Sequence, residues 1–390
     1  MASQASVPLQ SDQFETDVLV VGAGPTGLTL AAALAASRVR VTVIDRLAAG
    51  ANTSRAAVVH ARTLEVLEPL GATRPLIERG LQAQRFTIRD RDRVLVPIAF
   101  DKLPTRYPYT LMVSQAVTES VLLKRFEELG GRVLRPRTLV GLTLDQSAAV
   151  ATLDDGSRWR ARYVVGADGM HSAVREQARI PFSGGGYGES FVLADVHLSG
   201  AIPSDEVILY FSPAGMVVVA PLPDGVHRIV AVVDDAPEAP DAAYVQALLD
   251  ARGPQRERVV VRDVVWGSRF RVHHRVADVY RAGRIVLAGD AAHVHSPAGG
   301  QGMNAGILDA MSLAGALVKA LAGDERSLDV YGTQRRPVAQ QVVAFADRLT
   351  RLATVPPVLR GLRNALLSTL ARLPVFRRQL AWRLSGLVYR

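Results

Sequence analysis

Three polar side chains that could bind a metal ion lie close together in GDAAHVHSPAGGQGMN, residues 289–304. They are Asp290, His293 and His295. Carboxylate and imidazole groups are common ligands of zinc, so this trio raises the question of a metal site. The two histidines lie on a loop, where no helix or strand face aligns them, and no cysteine or suitably spaced glutamate completes a ligand set. We therefore expect no metal, and loop histidines that are held by hydrogen bonds.

The glycines of the same stretch indicate different chemistry. A predicted strand ends at Asp290, and a long helix is predicted to begin near Gly302. The start of a helix leaves N–H groups without partners inside the helix. Such groups bind an anion, or a carbonyl oxygen that takes up negative charge.

A second aspartate also follows a buried strand, in YVVGADGMHSAVR, residues 163–175. This residue is Asp168, and Ser172 and Arg175 follow it on the next turns. Taken alone, the Asp-Gly pair fits a plain turn between a strand and a helix equally well.

A glycine-rich loop lies near the start of the chain, in DVLVVGAGPTGLTLAAALAASRVRVTVIDR, residues 17–46. Gly22, Gly24 and Gly27 form a G-x-G-x-x-G motif between a strand and a helix, and a second strand ends at Asp45. The first glycine permits a tight turn, the second lets the backbone approach a pyrophosphate, and the third lets helix and strand pack closely. A carboxylate in the position of Asp45 accepts from ribose hydroxyls. The whole unit therefore predicts a dinucleotide site.

The composition is that of a globular protein with a large core. The chain has 390 residues, of which 48% are hydrophobic and none is cysteine, so disulfides and thiolate sites are excluded. We see no uninterrupted apolar run long enough to span a membrane, and the polar N-terminus predicts no signal peptide. We expect a cytoplasmic protein.

The net charge of +9 lies mostly in the tail. Residues 346–390 hold nine arginines and one aspartate, a net of +8, which leaves about +1 for the rest. Since the bulk of the chain is electrically balanced, we expect no nucleic-acid partner.

The three motifs, in this order and spacing, resemble those of the class A FAD-dependent aromatic monooxygenases, the family of p-hydroxybenzoate hydroxylase and phenol hydroxylase. The resemblance covers roughly residues 14–345. It implies non-covalent FAD, reduction by NADPH or NADH, and hydroxylation of an electron-rich carbon through a C4a-hydroperoxyflavin. No protein nucleophile is required, because the cofactor carries the hard chemistry.

The resemblance also assigns roles to residues. The motif glycines and Asp45 would hold the pyrophosphate and ribose, and the others implied to bind FAD are Arg46, Arg55, Gln115, Asp168, Asp290, Gly302, Met303 and Asn304. Arg55 would also lie on the nicotinamide path, and Asp168 would serve both FAD and NAD(P)H. Arg55, Pro297 and Gly302 would position the reactive flavin ring.

The fold class that follows is α/β. We expect a Rossmann-like FAD-binding domain of the glutathione-reductase type, an inserted β-sheet substrate domain and C-terminal helices. The FAD-binding domain is predicted from residues 14–80, 114–182 and 271–345. The substrate domain is predicted from residues 81–113 and 183–270, and the helical tail from residues 346–390.

The substrate is predicted from the inserted strands. Relatives place tyrosines there, and the candidates here are Tyr210 and, less directly, His227. The segments FVLADVHLSG and ILYFSPAGMVVVAPL are mostly apolar, which favours an aromatic or polycyclic, polyketide-like molecule together with O₂. Two alternatives stay open: an FAD-dependent reductase or dehydrogenase of a prenyl-type substrate, and an FAD-bound protein that sequesters an unstable intermediate.

The tail is predicted to form two amphipathic helices that are separated at Pro374. Its leucine stripes could pack on the FAD domain, contact a second subunit in a homodimer, or lie on a membrane with arginines toward lipid phosphates. Packing in a monomer or homodimer is the simplest expectation, and peripheral membrane contact is the alternative.

Overall fold

The computed structural model describes residues 13–50, 56–145 and 147–390. Two eight-stranded sheets and a small three-stranded sheet form its β structure. Ten α-helices cover these sheets in the described part of the chain.

The first sheet is the predicted dinucleotide-binding layer, and its strand order is β17-β18-β11-β1-β2-β8. The five strands from β18 to β8 run parallel, whereas β17 is antiparallel to β18. Two further strands, β9 and β10, extend β11 as an antiparallel meander. The bounds are β1 (Gln13–Val21), β2 (Val41–Ile44), β8 (Val133–Leu134), β9 (Leu139–Leu144), β10 (Ala149–Leu153), β11 (Arg158–Gly166), β17 (Arg281–Ala282) and β18 (Ile285–Leu287).

Helices pack on this sheet and complete the largest buried cluster of the protein. Since β1 has buried side chains on both faces, its sequence is a continuous apolar run rather than an alternating one. The helices of this part are α1 (Pro25–Ala36), α2 (Ala61–Leu67), α3 (Thr73–Arg79), α4 (Gln115–Glu128), α5 (Ala173–Gln177), α7 (Gly302–Leu321) and α8 (Arg326–Ala353).

The second sheet has the order β19-β16-β12-β15-β14-β13-β5-β6 and is antiparallel except for the parallel pair β13 and β5. Its bounds are β5 (Arg85–Asp90), β6 (Arg93–Ala99), β12 (Phe182–Ser199), β13 (Glu206–Ser212), β14 (Gly215–Pro221), β15 (Val226–Val233), β16 (Val260–Ala277) and β19 (His293–Val294). α6 (Ala242–Arg252) covers one face. Because β12 and β16 are long and continuous, they run through the predicted domain boundaries at 182/183 and 270/271, and those boundaries stay predictions.

The small sheet joins the two large ones. Its order is β3-β7-β4, with β3 (Val58–Val59), β4 (Leu81–Ala83) and β7 (Thr110–Met112). Buried Ala57, Ala83 and Met112 from this region pack against Ala220 and Leu222 of the second sheet.

The tail forms α9 (Arg360–Leu370) and α10 (Pro374–Leu384), separated at Pro374 as the sequence predicts. Its inner side chains join a buried cluster with the second sheet, so the tail packs on the protein. The polar contacts agree, since Arg363 donates to the Phe211 carbonyl at 3.1 Å. Its outer ridge is exposed, and Val358 and Leu362 are 87% and 69% accessible.

Within the described ranges, α7 is the one helix long and apolar enough to cross a membrane by length and composition. Because 67% of its apolar stretch is buried inside the protein, it has the character of a core helix. It packs between α1 and α8.

Candidate cofactor-binding site

The glycine-rich loop links β1 to α1 with very close backbone approaches. A Cβ atom on Gly27 would lie 1.9 Å from the carbonyl oxygen of Gly22, so only glycine lets α1 pack here. Gly22 has a φ of +106°, where L residues with side chains are strained. A Cβ atom on Gly24 would meet nothing within 4 Å, so the loop is open at this residue, as the close approach of a pyrophosphate requires.

Asp45 lies at the carboxyl end of β2, beside this loop. Its Oδ2 accepts from the backbone N–H of Ala23 at 2.6 Å, and its Oδ1 accepts from the N–H of Leu47 at 2.8 Å. Each oxygen has a further lone pair, so the carboxylate can still accept from a ribose. Arg46 is exposed next to it.

Gln115 begins α4, and Arg55 lies outside the described residues. The Oε1 of Gln115 accepts from the N–H of Ala56 at 3.4 Å, and its Nε2 donates to Glu119 Oε1 at 2.9 Å. Gln115 therefore holds the chain at Ala56, the residue that follows Arg55 in the sequence. A direct contact of Gln115 with FAD stays a prediction.

Asp168 follows β11 at the same edge of the sheet. Its Oδ2 accepts from the N–H of Val174 at 3.2 Å, while its Oδ1 is buried and has no hydrogen-bond partner in the described part of the protein. Burial raises the pKa of this carboxyl group. A buried acceptor without a partner is costly, so a bound group that supplies a donor fits this position.

Arg175 connects the two aspartate motifs. Its buried guanidinium donates to the carbonyl of Met170 at 2.8 Å and to that of Ala291 at 3.0 Å. It also lies 3.9 Å from the ring centroid of Phe182. The loops after β11 and β18 are therefore held together by one side chain.

Asp290 lies in a short 3₁₀ turn directly after β18, and its side chain is exposed. The turn requires Gly289, which has a φ of +61° and packs against Thr26 of α1. This brings Asp290 to the same edge of the sheet as the glycine-rich loop, where the resemblance places the pyrophosphate and ribityl chain.

A buried ion-pair network lies behind Asp290. Asp309 of α7 accepts from Nε of Arg335 at 2.7 Å and from the backbone N–H of Gly289 at 3.3 Å, and its Oδ2 lies 2.6 Å from Nε2 of His293. Burial alone would raise the pKa of Asp309, but the Arg335 charge and His293 hold it below its ordinary value. His293 is therefore a structural residue of this network.

The second histidine of the motif is also occupied by local structure. Nδ1 of His295 donates to the carbonyl of Ser296 at 2.7 Å. Burial lowers the pKa of His295 to about 4, so the ring is neutral near pH 7. Among the residues that the structure describes, no group of three or more histidine, aspartate or glutamate side chains could hold a metal ion.

The start of α7 forms the last part of the site. Gly299 and Gly300 have φ values of +82° and +63°, and the loop from Pro297 leads directly into the helix. Gly302 and Met303 are half-buried. Because they are the first helical residues, their N–H groups have no intrahelical partner.

The side chain of Asn304 makes its hydrogen bonds within the protein, and the implied flavin contact stays a prediction. Its Nδ2 donates to the carbonyls of Val58 and Gly300, and its Oδ1 accepts from the N–H of His60 at 2.8 Å. The side chain thus ties β3 to the helix start. Only the backbone of Asn304 remains for a contact with the flavin.

One face of the second sheet belongs to an apolar cluster that reaches the loop before this helix start. A Cβ atom on Gly299 would touch Phe345, Leu349 and Leu384. These three residues belong to one apolar cluster with the side chains of that face, which include Ile88, Phe191, Phe211, Met216, Val230 and Phe270. Helices α8 and α10 therefore connect this apolar, aromatic face with the loop.

Tyr210 and His227, the candidate substrate residues, lie on the opposite face. Successive side chains alternate along a strand, so Tyr210 points away from its neighbour Phe211. Tyr210 is buried with residues of α6, and burial raises its pKa to about 12. His227 has the same orientation as Ile229 of that cluster. Both side chains therefore lie on the face away from the cluster that reaches the loop, and their contact with a substrate stays a prediction.

The donor set fits FAD. The glycine-rich loop and α1 can hold the pyrophosphate, and Asp45 can hold the ribose. The helix start at Gly302 can contact the pyrimidine end of the flavin ring. Sequence reasoning missed Asp309 and Arg335, although a charged residue inside the apolar run GILDAMSLAGAL is a signal of a buried ion pair.

Comparison with known proteins agrees with this geometry. Residues 15–346 match the FAD binding domain family. The chain is 38% identical over 358 residues to 6-methylpretetramide 4-monooxygenase of Streptomyces rimosus. This match covers 89% of this chain but only 63% of that protein. The chain thus spans less than two thirds of that relative.

Two solved structures are also similar. An anhydrotetracycline hydroxylase from Streptomyces rimosus is 34% identical with a TM-score of 0.81, and the match covers 96% of this chain and 76% of that one. A Diels–Alderase of pyrroindomycin biosynthesis is 28% identical with a TM-score of 0.80, and the match covers 96% and 80% of the two chains. The protein binds FAD, and it belongs to the FAD binding domain family, among the FAD-dependent aromatic monooxygenases.

Proposed function

We propose that the protein is a monooxygenase that uses FAD, NAD(P)H and O₂ to hydroxylate an aromatic or polycyclic, polyketide-like molecule. The observation that carries this proposal is the apolar, aromatic cluster that α8, the tail helices and one face of the second sheet form beside the loop at Gly299. Two relatives are named for oxidation of tetracycline-type compounds, 6-methylpretetramide and anhydrotetracycline. Such ring systems match the chemistry of this face.

The chain's own residues would orient the cofactor. The N–H groups of Gly302 and Met303, with the positive end of the α7 dipole, stabilise negative charge on a ring edge placed against them. Asp290 and Asp168 hold the chain that links the ring to the pyrophosphate. When bound and reduced by NAD(P)H, FAD supplies the activation of O₂ and the transfer of one oxygen atom.

The aromatic face would position the substrate and exclude water. Phe191 and Phe270 stack with their ring centroids 5.5 Å apart, which makes a flat apolar surface within this cluster. Exclusion of water protects reactive intermediates from side reactions. The same surface binds a fused-ring molecule through its apolar area rather than through charge.

The proposal is tested by NAD(P)H oxidation against a panel of phenols and fused-ring aromatics, with hydrogen peroxide measured in parallel. We expect an apolar polycyclic phenol to accelerate NAD(P)H oxidation and to yield hydroxylated product in proportion. Oxidation that yields only peroxide with every compound contradicts a hydroxylase. Substrate turnover without O₂ consumption favours a reductase or dehydrogenase.

A second candidate is supported by the Diels–Alderase relative. A fold that holds FAD can also enclose a reactive intermediate and guide its conversion without net oxidation. This alternative expects tight binding of a polyene or polycyclic ligand with negligible NAD(P)H oxidation. The same panel distinguishes it from hydroxylation.

We also propose that the tail serves mainly to cover the second sheet, in a cytoplasmic monomer or homodimer. The exposed apolar ridge of α9 leaves membrane contact as the alternative. Sedimentation with anionic vesicles would support membrane contact, and a concentration-dependent mass in analytical ultracentrifugation would support a dimer.

A further inference from the structure

A basic residue that the motifs do not include, Arg135, lies at the carboxyl edge of the first sheet. Arg135 follows β8, the neighbour of β2. Its position is fixed by the backbone on both sides, because the N–H of Asp45 donates to the Leu134 carbonyl at 3.1 Å and the N–H of Arg137 donates to the Asp45 carbonyl at 2.8 Å. Arg135 is therefore held directly beside Asp45.

The Arg135 side chain has more donors than the protein satisfies. Its Nη2 donates to the carbonyl of Ala23 at 3.4 Å, a long contact. Its Nε is buried and has no hydrogen-bond partner in the described part of the chain. Arg135 is half-buried, and leaving its buried Nε–H without an acceptor is costly. The geometry thus calls for an acceptor from outside the protein.

Carboxylates surround this arginine without pairing with it. Asp45 accepts from the N–H of Ala23, while Arg135 donates to the carbonyl of the same residue. Glu119 is buried nearby and accepts from Gln115 at 2.9 Å. Burial raises the pKa of Glu119, and Gln115 and Arg135 oppose that rise. An acceptor, Asp45, and a donor, Arg135, therefore lie next to each other at Ala23 of the glycine-rich loop.

The order of the strands places Arg135 at one end of the cofactor. Along the carboxyl edge, Asp290, Asp168, Gly22, Asp45 and Arg135 follow β18, β11, β1, β2 and β8 in that spatial order. The helix start at Gly302 lies at the Asp290 end of this row. A dinucleotide that crosses the glycine-rich loop therefore has its adenosine at the Asp45 end.

We propose that Arg135 binds the adenosine half of FAD, donating hydrogen bonds to an acceptor of the adenine, the ribose or the adjoining phosphate. This inference rests on FAD binding by the family and not on the proposed hydroxylation. Arg135 would supply hydrogen-bond donors to this half of FAD, which Asp45 cannot do because a carboxylate only accepts.

The test compares FAD with FMN, which lacks the adenylate group. Dissociation constants of the FAD-free protein are measured by quenching of flavin fluorescence for wild type and for Arg135→Gln. A hydrogen bond from a charged donor predicts FAD binding weaker by about tenfold to a hundredfold, with FMN binding within about twofold of wild type. The matched control is Arg137→Gln, because Arg137 pairs with Asp155 at the surface and should leave both constants unchanged.

Two results would overturn the inference. One is FAD binding by Arg135→Gln within about twofold of wild type, and the other is an equal loss of FAD and FMN affinity. If Arg135→Gln does not fold, by circular dichroism of the FAD-free protein, Arg135→Lys decides. It keeps the charge but loses the planar fork, so selective weakening of FAD supports the inference and wild-type affinity contradicts it.

Discussion

Replacing Arg335 by methionine tests the buried network that holds the Asp290 turn. The substitution removes the cation that bonds to Asp309 at 2.7 Å and leaves a fully buried carboxylate with His293 and one backbone N–H. Breaking a buried pair in this way costs about 3–5 kcal/mol of unfolding free energy. Unfolding entropy of about 2.1 cal/mol/K per residue gives about 0.8 kcal/mol/K for a chain of this length. The melting temperature should therefore fall by about 4–6 °C at pH 7.

The loss should depend on pH in a defined direction. In wild type, the pKa of Asp309 lies below its ordinary value, so its stabilising contribution is complete at neutral pH and is lost only as the pH falls through the folded-state pKa. In Arg335→Met, burial without the cation raises that pKa. The difference in unfolding free energy between wild type and the variant is then largest near pH 7 and becomes smaller toward acid pH.

Thermal unfolding of both proteins between pH 4 and pH 8, followed by circular dichroism, measures this effect. Arg351→Met is the control on the same helix, because Arg351 makes an exposed pair with Asp347 that is worth about 0.3–0.5 kcal/mol. The double variant Asp309→Asn with Arg335→Met should recover part of the loss, since the uncompensated charge is gone. The reasoning is refuted if Arg335→Met loses no more stability than Arg351→Met, or if its deficit does not narrow at acid pH.

Three further predictions concern the site. Gly27→Ala should destabilise the FAD-free protein, because its Cβ would lie 1.9 Å from the Gly22 carbonyl oxygen, whereas Gly24→Ala should leave the melting temperature unchanged but weaken FAD at least about tenfold; equal melting temperatures of the two would be inconsistent with this. Asp290→Asn should lower FAD affinity, measured by fluorescence titration, and retained affinity would speak against its assigned role. Tyr210→Phe should leave kcat/KM for an aromatic substrate within about twofold of wild type, while Phe211→Ala, in the apolar cluster that reaches the loop, should lower it by more than that; the reverse result would show that the faces are misassigned.

The parts of the fold that local sequence determines could be predicted. The unit β1–α1–β2 and its glycines were found because the turn, the helix and the second strand are contiguous and each has its own signal. The start of α7 at Gly302 and the separation of the tail helices at Pro374 were predicted for the same reason. Glycine and proline act through their own backbone conformations, which do not depend on distant contacts.

The features that depend on distant contacts could not be predicted. Tyr210 was assigned to the substrate because it lies in an apolar strand, but which face of β13 is turned to the loop depends on its pairing with β5 and β14. His293 was expected to make a hydrogen bond, and it contacts Asp309 at 2.6 Å, yet the sequence does not name that partner. No sequence motif includes Arg135, because its place beside Asp45 follows only from the pairing of β8 with β2.

The central claim is that FAD in this protein transfers an oxygen atom from O₂ to an aromatic ring. Its most direct test is turnover under ¹⁸O₂ with NAD(P)H and the best fused-ring substrate from the panel, followed by mass spectrometry of the product. The account predicts one ¹⁸O atom in each product molecule and one NAD(P)H consumed per product. Product that forms without ¹⁸O, or at an unchanged rate in the absence of O₂, would contradict it.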